Sequence, residues 1–415
     1  MLTLVEALNF RSLRHVRQPL GRFHVLVGPN ASGKTSFLDV PALLAKLVSD
    51  GLEAAVGERA RSFPDLVWQR AGRSLELAIE ARIPEDRRHG LGDRTFDTVR
   101  YEVALGNHPQ SDEVCILAER VLLKTASPAG AQERALFPAA PRSPETILSS
   151  KGPRGEKSVV HKVVDGNDNF YDETGKGWDH TFRLGPRKSA LGNLPEDESK
   201  FPVATWLKTF LVEATQKIAL QSLVLRRASP PGQKRAFQPD GSNLPWVVAE
   251  LERKAPARLA DWIAHLRTAL PEIEGLRTVE REDDRHRYLL VRQPGGLEVP
   301  SWMVSDGTLR LLALTLLAFL PETRGTFLIE EPENGIHPRG IETLYRALLA
   351  AQEAQVLVAT HSPVLLSIVE PEQVLCFAKT PEGATDIVSG SAHPGLSQWR
   401  GEANLGALFA TGVLG

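Results

Sequence analysis

The sequence predicts an α/β protein: a largely parallel sheet with helical crossovers, joined to an antiparallel β region. Three observations predict it. A short apolar strand, Phe23–Val27, runs into GPNASGKT at Gly28–Thr35 and then into a helical pattern. Strand-like runs at 75–83, 99–105 and 114–123 follow one another with no helix between them. From residue 309 to residue 377 helix and strand alternate, as parallel strands joined by crossover helices require.

Each element has a local reason. Residues 2–9 alternate weakly and read as a strand. Residues 35–47 carry an apolar face on Phe37, Leu38, Ala42, Leu43, Ala45 and Leu47, the spacing of a helix buried on one side. Residues 126–188 are rich in Pro, Gly, Ser and charge and read as loops and hairpins. Helical patterns return at 201–216, 244–254 and 257–270, and a hairpin pairs 276–280 with 288–292. The last part reads helix 309–320, strand 326–329, helix 341–351, strand 355–359, helix 364–368 and strand 373–377. There is no internal repeat and no heptad run long enough for a coiled-coil arm.

Bulk properties narrow the function classes. At 415 residues and 42% apolar, the chain can bury a sizeable core, so wholesale disorder is excluded. Its net charge of −2 supplies no global field to draw it onto nucleic acid, so any such contact needs a local patch. Two cysteines, Cys115 and Cys376, argue against a disulfide framework or a cysteine-rich zinc site and fit a reducing compartment. The N-terminus carries acid where a signal peptide is basic, and the apolar run 309–320 is too short to span a bilayer. The expected location is cytoplasmic, with no membrane contact.

GPNASGKT satisfies G-x-x-x-x-G-K-[ST] at every fixed position, with the required strand before it and helix after it. Backbone N–H groups from Asn30, Ala31, Ser32, Gly33 and Ser36 would wrap a β-phosphate. Lys34 would sit between the β- and γ-phosphates, and the Thr35 hydroxyl would ligate Mg²⁺. A nucleoside polyphosphate with Mg²⁺ is therefore the expected ligand pair. Far downstream, FLIEEPENGIHP puts Glu330 and Glu331 at the C-terminal end of an apolar strand, the end that faces the ligand crevice in parallel sheets. From an adjacent strand, Glu330 would hold the metal and Glu331 would polarise the attacking water. EEPEN is also a good loop sequence, so taken alone it could be a solvated turn. The next strand ends in Thr360-His361-Ser362-Pro363, placing His361 near the γ-phosphate or the water.

Together these residues resemble the ABC-type ATPases of the SMC-like class. WMVSDGTLRLLALTLLAFL (Trp302–Leu320) looks like the signature motif and its helix. NFRSL near the start, DGSNL at Asp240–Leu244 and LGALFATGVLG at the end resemble the prokaryotic ATPases related to the OLD (overcoming lysogenisation defect) family. The similarity covers about residues 1–85 and 220–415. The resemblance implies an ABC-type P-loop head with a mixed parallel core, an antiparallel β subdomain and a helical signature subdomain, without a long coiled coil. It divides the chain into an N-terminal lobe (1–105), a variable insertion (106–200), a helical and hairpin subdomain (201–300) and a C-terminal lobe (301–415).

It further implies that two subunits sandwich ATP, with Ser305 and Gly307 of one touching the γ-phosphate held by the other. Glu331 would be the catalytic base, His361 the switch residue, Glu333 and Asn334 part of the loop crossing the interface, and Arg11 a nucleotide contact. Two departures stand out. Asp306 replaces a glycine of the transporter-like signature, and Glu330 replaces the commoner aspartate. Gln69 is the one candidate for the glutamine loop, although it precedes the strands that loop normally follows.

The chain ends about fifty residues after His361, which leaves no room for the nuclease domain of full OLD-type proteins. A stand-alone ATPase acting on a separate, nuclease-like effector is expected, in phage defence first and DNA repair or recombination second. A sensor scaffold using ATP as dimer glue is the other alternative. An ordinary P-loop kinase or GTPase leaves SDGT and THSP unexplained. Local charge offers a DNA-contact candidate: residues 214–239 hold Lys217, Arg226, Arg227, Lys234 and Arg235 with no acid, and residues 120–188 are net basic. Taken on its own, each segment reads better as a solvated loop face.

Overall fold

The computed structural model describes residues 1–397 apart from 94, 127–135, 141, 151–154, 176, 178, 235, 322–323 and 352. Arg235 of the basic segment and the terminal LGALFATGVLG lie outside the described residues.

The chain folds as α/β, on three sheets. Across the first, the strands run in the order Thr215–Ile218, Gly325–Glu330, Ala354–Ala359, Phe23–Val27, Val374–Lys379 and Thr385–Ser389. Neighbours are parallel except for the last pair. Phe23–Val27 lies inside this sheet and is buried at every residue, which is why it reads as a continuous apolar run. Side-chain alternation sorts the sheet into two cores. Leu26, Leu328, Leu357 and Phe377 face the helix Lys34–Asp50, while Val25, Val27, Ile329 and Val358 join the cluster of helices Asp306–Leu316 and Pro338–Ala350.

The second sheet is eight-stranded and antiparallel: Leu13–Pro19, Leu2–Phe10, Ser74–Arg82, Thr98–Asn107, Val114–Lys124, Glu156–Val163, Asp168–Phe170 and His180–Phe182. It packs against the other side of Lys34–Asp50, so that helix is enclosed between two sheets. This burial explains its tolerance of Pro41 inside the helix, where tertiary packing rather than propensity holds the backbone. The third sheet, Gly275–Glu280, Arg287–Arg292 and Glu298–Pro300, leads through the short turn Ser301–Met303 into the helix Asp306–Leu316. Among the described residues the longest helix has 17 residues, none can cross a membrane, and no long coiled coil is evident.

Two sequence expectations need correction. The strand carrying Glu330 is not adjacent to the phosphate-loop strand; Ala354–Ala359, the strand of His361, lies between them. The helical pattern 201–216 is a helix only over Pro202–Thr209. It then passes through a π-turn, Phe210–Ala214, into the edge strand Thr215–Ile218. Thr215 and Ile218 are buried by pairing with Gly325–Glu330, and that tertiary contact overrides local helical spacing. Within 126–188 the expected hairpins form, Glu156–Val163 with Asp168–Phe170 and Asp168–Phe170 with His180–Phe182, and they extend the antiparallel sheet.

Candidate nucleotide site

The phosphate loop joins its strand to Lys34–Asp50 through two glycines that no other residue could replace without movement. A Cβ on Gly28 would lie 2.1 Å from the Phe377 carbonyl oxygen. Gly33 sits at φ +110°, and its Cβ would lie 2.2 Å from Thr385 Oγ1. Thr385 is held in place: its Oγ1 donates to Ser32 O at 2.8 Å and its N–H donates to Ser12 O at 2.9 Å. Gly33→Ala is therefore expected to destabilise the fold by about 1–3 kcal/mol through strain and to weaken nucleotide binding in parallel. Urea unfolding together with an ATP-binding isotherm measures both.

The loop has the features of an anion cradle. The helix Lys34–Asp50 begins without a side-chain cap and without acid in its first turn, so its N-terminal dipole faces the loop uncompensated. Ser32 Oγ is buried with no hydrogen-bond partner. Lys34 Nζ donates to Gly28 O at 2.7 Å and to Pro29 O at 2.9 Å, folding its charge over the loop. An orphaned hydroxyl, a cradle a side chain would fill and a buried ammonium are the donor set a polyphosphate needs.

Burial pulls the Lys34 ammonium down to about 8, against the opposing charges of Glu331 and Glu330. The folded value lies below the ordinary 10.5, so burying the charge costs stability in full below about pH 8. That cost is relieved as pH rises from about 8 toward 10.5. Nucleotide binding needs the charged form, so ATP affinity is expected to decline above about pH 8. Calorimetric titrations across that value check the sign, and an affinity that stays level contradicts it.

Thr35 Oγ1 donates to Glu330 Oε2 at 3.4 Å, so hydroxyl and carboxylate face each other as a divalent cation would require. The residues thus fit both ATP and Mg²⁺. Glu331 turns the chain sharply at φ +46°, and its N–H donates to Ala359 O at 2.7 Å. Asn334 Nδ2 donates to Glu331 Oε2 at 2.5 Å. Glu333 Oε1 accepts from Thr360 Oγ1 at 2.6 Å and from the His361 N–H at 3.0 Å, which pins the EEPEN loop to the histidine turn. Burial and the Lys34 charge hold His361 below its ordinary value despite Glu331 and Glu333, which favours the neutral ring.

These parts meet in one cavity of about 440 Å³. Arg11, Asn30, Ala31, Ser32, Gly33, Lys34, Thr35, Ser36, Glu330, Glu331 and His361 all line it. Arg11 Nη1 pairs with Asp39 at 3.0 Å, so its guanidinium is engaged with the loop helix. Ser305 and Gly307 are not among the lining residues. Ser305 caps Asp306–Leu316, its Oγ accepting from the Thr308 N–H at 3.2 Å. A Cβ on Gly307 would lie 2.0 Å from Gly335 O, which packs the start of this helix against the ENG loop. Asp306 is neutralised by Arg226 Nε at 2.6 Å, so the acid that replaces a signature glycine is not left unpaired. Gln69 donates to Glu382 O at 3.4 Å and does not line the cavity.

Sequence reading missed Ser12, Lys379 and Thr385. Lys379 ends Val374–Lys379, next to the phosphate-loop strand, and lines the cavity. It follows the same rule as Glu330 and His361, a polar residue at a strand's C-terminal end. Ser12 lies inside NFRSL beside Arg11, whereas Thr385 belongs to no motif. They meet Gly33 only through tertiary packing.

This fold is that of the SMC head domains, an α/β architecture built around a phosphate loop. The chain belongs to the family described as "AAA domain, putative AbiEii toxin, Type IV TA system", whose model matches residues 23–367. Among solved structures, the chain resembles an Smc head bound to the C-winged helix domain of ScpA. The TM-score is 0.54 at 13% identity, covering 94% of this chain and 97% of that one. It also resembles an Smc head domain with an extended coiled coil, bound to the C-terminal domain of ScpA derived from Pyrococcus furiosus. There the TM-score is 0.53 at 13% identity, covering 96% of this chain and 99% of that one. No curated protein matches the sequence.

Proposed function

We propose that the protein binds and hydrolyses ATP in a site completed by a second copy, and that the ATP-bound dimer gates a separate effector. One observation carries the reading: Lys34, Thr35, Glu330, Glu331 and His361, from three distant segments, line one cavity. Thr35 and Glu330 would hold Mg²⁺, which when bound offsets phosphate charge. Glu331 takes the proton of the attacking water, its carboxylate steadied by Asn334. The neutral His361 ring stands beside Lys34 and Glu331 as the sensor of the terminal phosphate. Ser305 and Gly307 come from the mate, where the capped helix N-terminus supplies N–H groups and a hydroxyl to the γ-phosphate. ATP becomes part of the interface, and hydrolysis removes it.

Several features support the wider reading. The resemblance to OLD-type ATPases and a family description naming a toxin system favour a nuclease-like effector in phage defence. DNA repair or recombination is the alternative setting. The Smc heads of similar fold are bound to a ScpA domain, which supports a protein partner on this head too. On this reading the four segments 1–105, 106–200, 201–300 and 301–415 divide the work, with the eight-stranded sheet running from the first into the second. Both cysteines are buried and free, consistent with a cytoplasmic setting. Of the basic residues proposed for DNA contact, Lys217 pairs with Glu330 and Arg226 with Asp306, which leaves Arg227 and Lys234 as the exposed described cations of that segment.

Lys34→Met is the direct test. It is expected to lower ATP affinity roughly ten- to a hundredfold, the worth of a charge-assisted contact. Unchanged ATP binding by this variant would overturn the reading.

A further inference from the structure

We infer that Lys217 is a positioning residue for the metal-holding carboxylate, a role that rests on the proposed ATPase reading. Thr215–Ile218 is the edge strand beside Gly325–Glu330, and Lys217 pairs in register with Leu328. In a parallel pair, a residue and the residue two beyond its partner lie on the same face. Lys217 and Glu330 therefore share the face that packs against Lys34–Asp50. The Lys217 ammonium lies 3.0 Å from Glu330 Oε1, an ion pair without hydrogen-bond alignment. The other oxygen, Oε2, accepts from the Thr35 hydroxyl at 3.4 Å.

The two contacts use different oxygens of one carboxylate. A glutamate has one more rotatable bond than the aspartate usual at this position, so its carboxylate can swing away from the hydroxyl that shares the metal. An ammonium on Oε1 removes that freedom and turns Oε2 toward Thr35. It also offsets part of the repulsion between Glu330 and Glu331, which are consecutive on the chain. Lys217 itself does not line the nucleotide cavity, so it acts through Glu330. Both of its contributions depend on the cation site: tethered geometry and a balanced charge at its rim. The edge strand that brings Lys217 there starts within the last two residues of the helical pattern 201–216, and only the sheet pairing reveals the contact.

The test compares wild type, Lys217→Met and Lys217→Arg in the full chain. ATP-analogue binding is measured by calorimetry without divalent ion and across a Mg²⁺ titration. Mn²⁺ binding in the presence of the analogue is followed by electron paramagnetic resonance. Removing a partner that orients a metal ligand typically costs ten- to a hundredfold in metal affinity, so Lys217→Met is expected to raise the Mg²⁺ midpoint at least about tenfold. Metal-free binding should stay within about twofold of wild type, and Lys217→Arg should restore most of the midpoint. Equal Mg²⁺ midpoints in wild type and Lys217→Met overturn the inference. So does an equal loss with and without metal, which marks a general disturbance of the strand. Wild type that binds the analogue identically with and without Mg²⁺ overturns the ATPase reading itself, which separates the two failures.

Discussion

Glu331→Gln is expected to lower ATP turnover by about two to four orders of magnitude while leaving ATP binding intact, the range a general base contributes. The amide keeps the size of the side chain and can still bond Asn334, so the sharp turn at φ +46° should survive. It cannot accept the proton from water. With hydrolysis blocked, ATP stays at the interface, and the variant should accumulate as a dimer or higher oligomer in size-exclusion chromatography with ATP and Mg²⁺. Multiple-turnover phosphate release and light scattering provide the two readouts. Equal turnover in wild type and variant removes Glu331 from its role. Negligible turnover in both, with ATP-dependent association in both, would instead make the protein a sensor scaffold that uses ATP as glue.

Mixing two inactive variants is expected to recover activity that neither has alone. Lys34→Met disables the phosphate loop and leaves the signature helix untouched. Ser305→Arg places a bulky cation at the N-terminus of Asp306–Leu316, where Ser305 caps the helix, and leaves the phosphate loop untouched. If ATP is held by the loop of one copy and the signature of another, each homodimer has two defective sites. A mixed dimer has one site with both defects and one with neither. Turnover in an equal mixture should therefore rise at least tenfold above either variant, with a plateau near a quarter of wild type when subunits pair at random, if sites act independently. The Ser305→Arg protein alone should bind ATP with near wild-type affinity but leave it unhydrolysed. Recovery absent at every mixing ratio, with both variants folded, would show that Ser305 does not act across an interface.

Much of the site could be read from the residues because its pieces are local. A phosphate loop is contiguous: Gly28 and Gly33 supply the backbone, Lys34 the charge and Thr35 the hydroxyl, all within eight residues. Glu330, Glu331 and His361 were found by a second local rule, polar residues at the ends of apolar strands, and the cavity contains all three. Lys379 obeys that rule too and was passed over, because the strand before it shows no motif. The apolar period suggests a helix from residue 309, and the helix starts earlier, at Asp306, capped by the Ser305 that the family resemblance singles out.

By itself the sequence determined the chemistry at each strand end and the presence of a parallel core, because both depend on neighbours within a few residues. Tertiary structure alone decided which strand lies beside which. The histidine strand stands between the phosphate-loop strand and the acidic strand, and an edge strand forms where spacing suggests helix. It also decided which charges cancel: Lys217 against Glu330, and Arg226 against Asp306. The physical reason is the range of the forces. Backbone conformation and side-chain periodicity are set along the chain. Strand order and ion pairs join residues tens to hundreds of positions apart, and their energy depends on burial that no local stretch encodes.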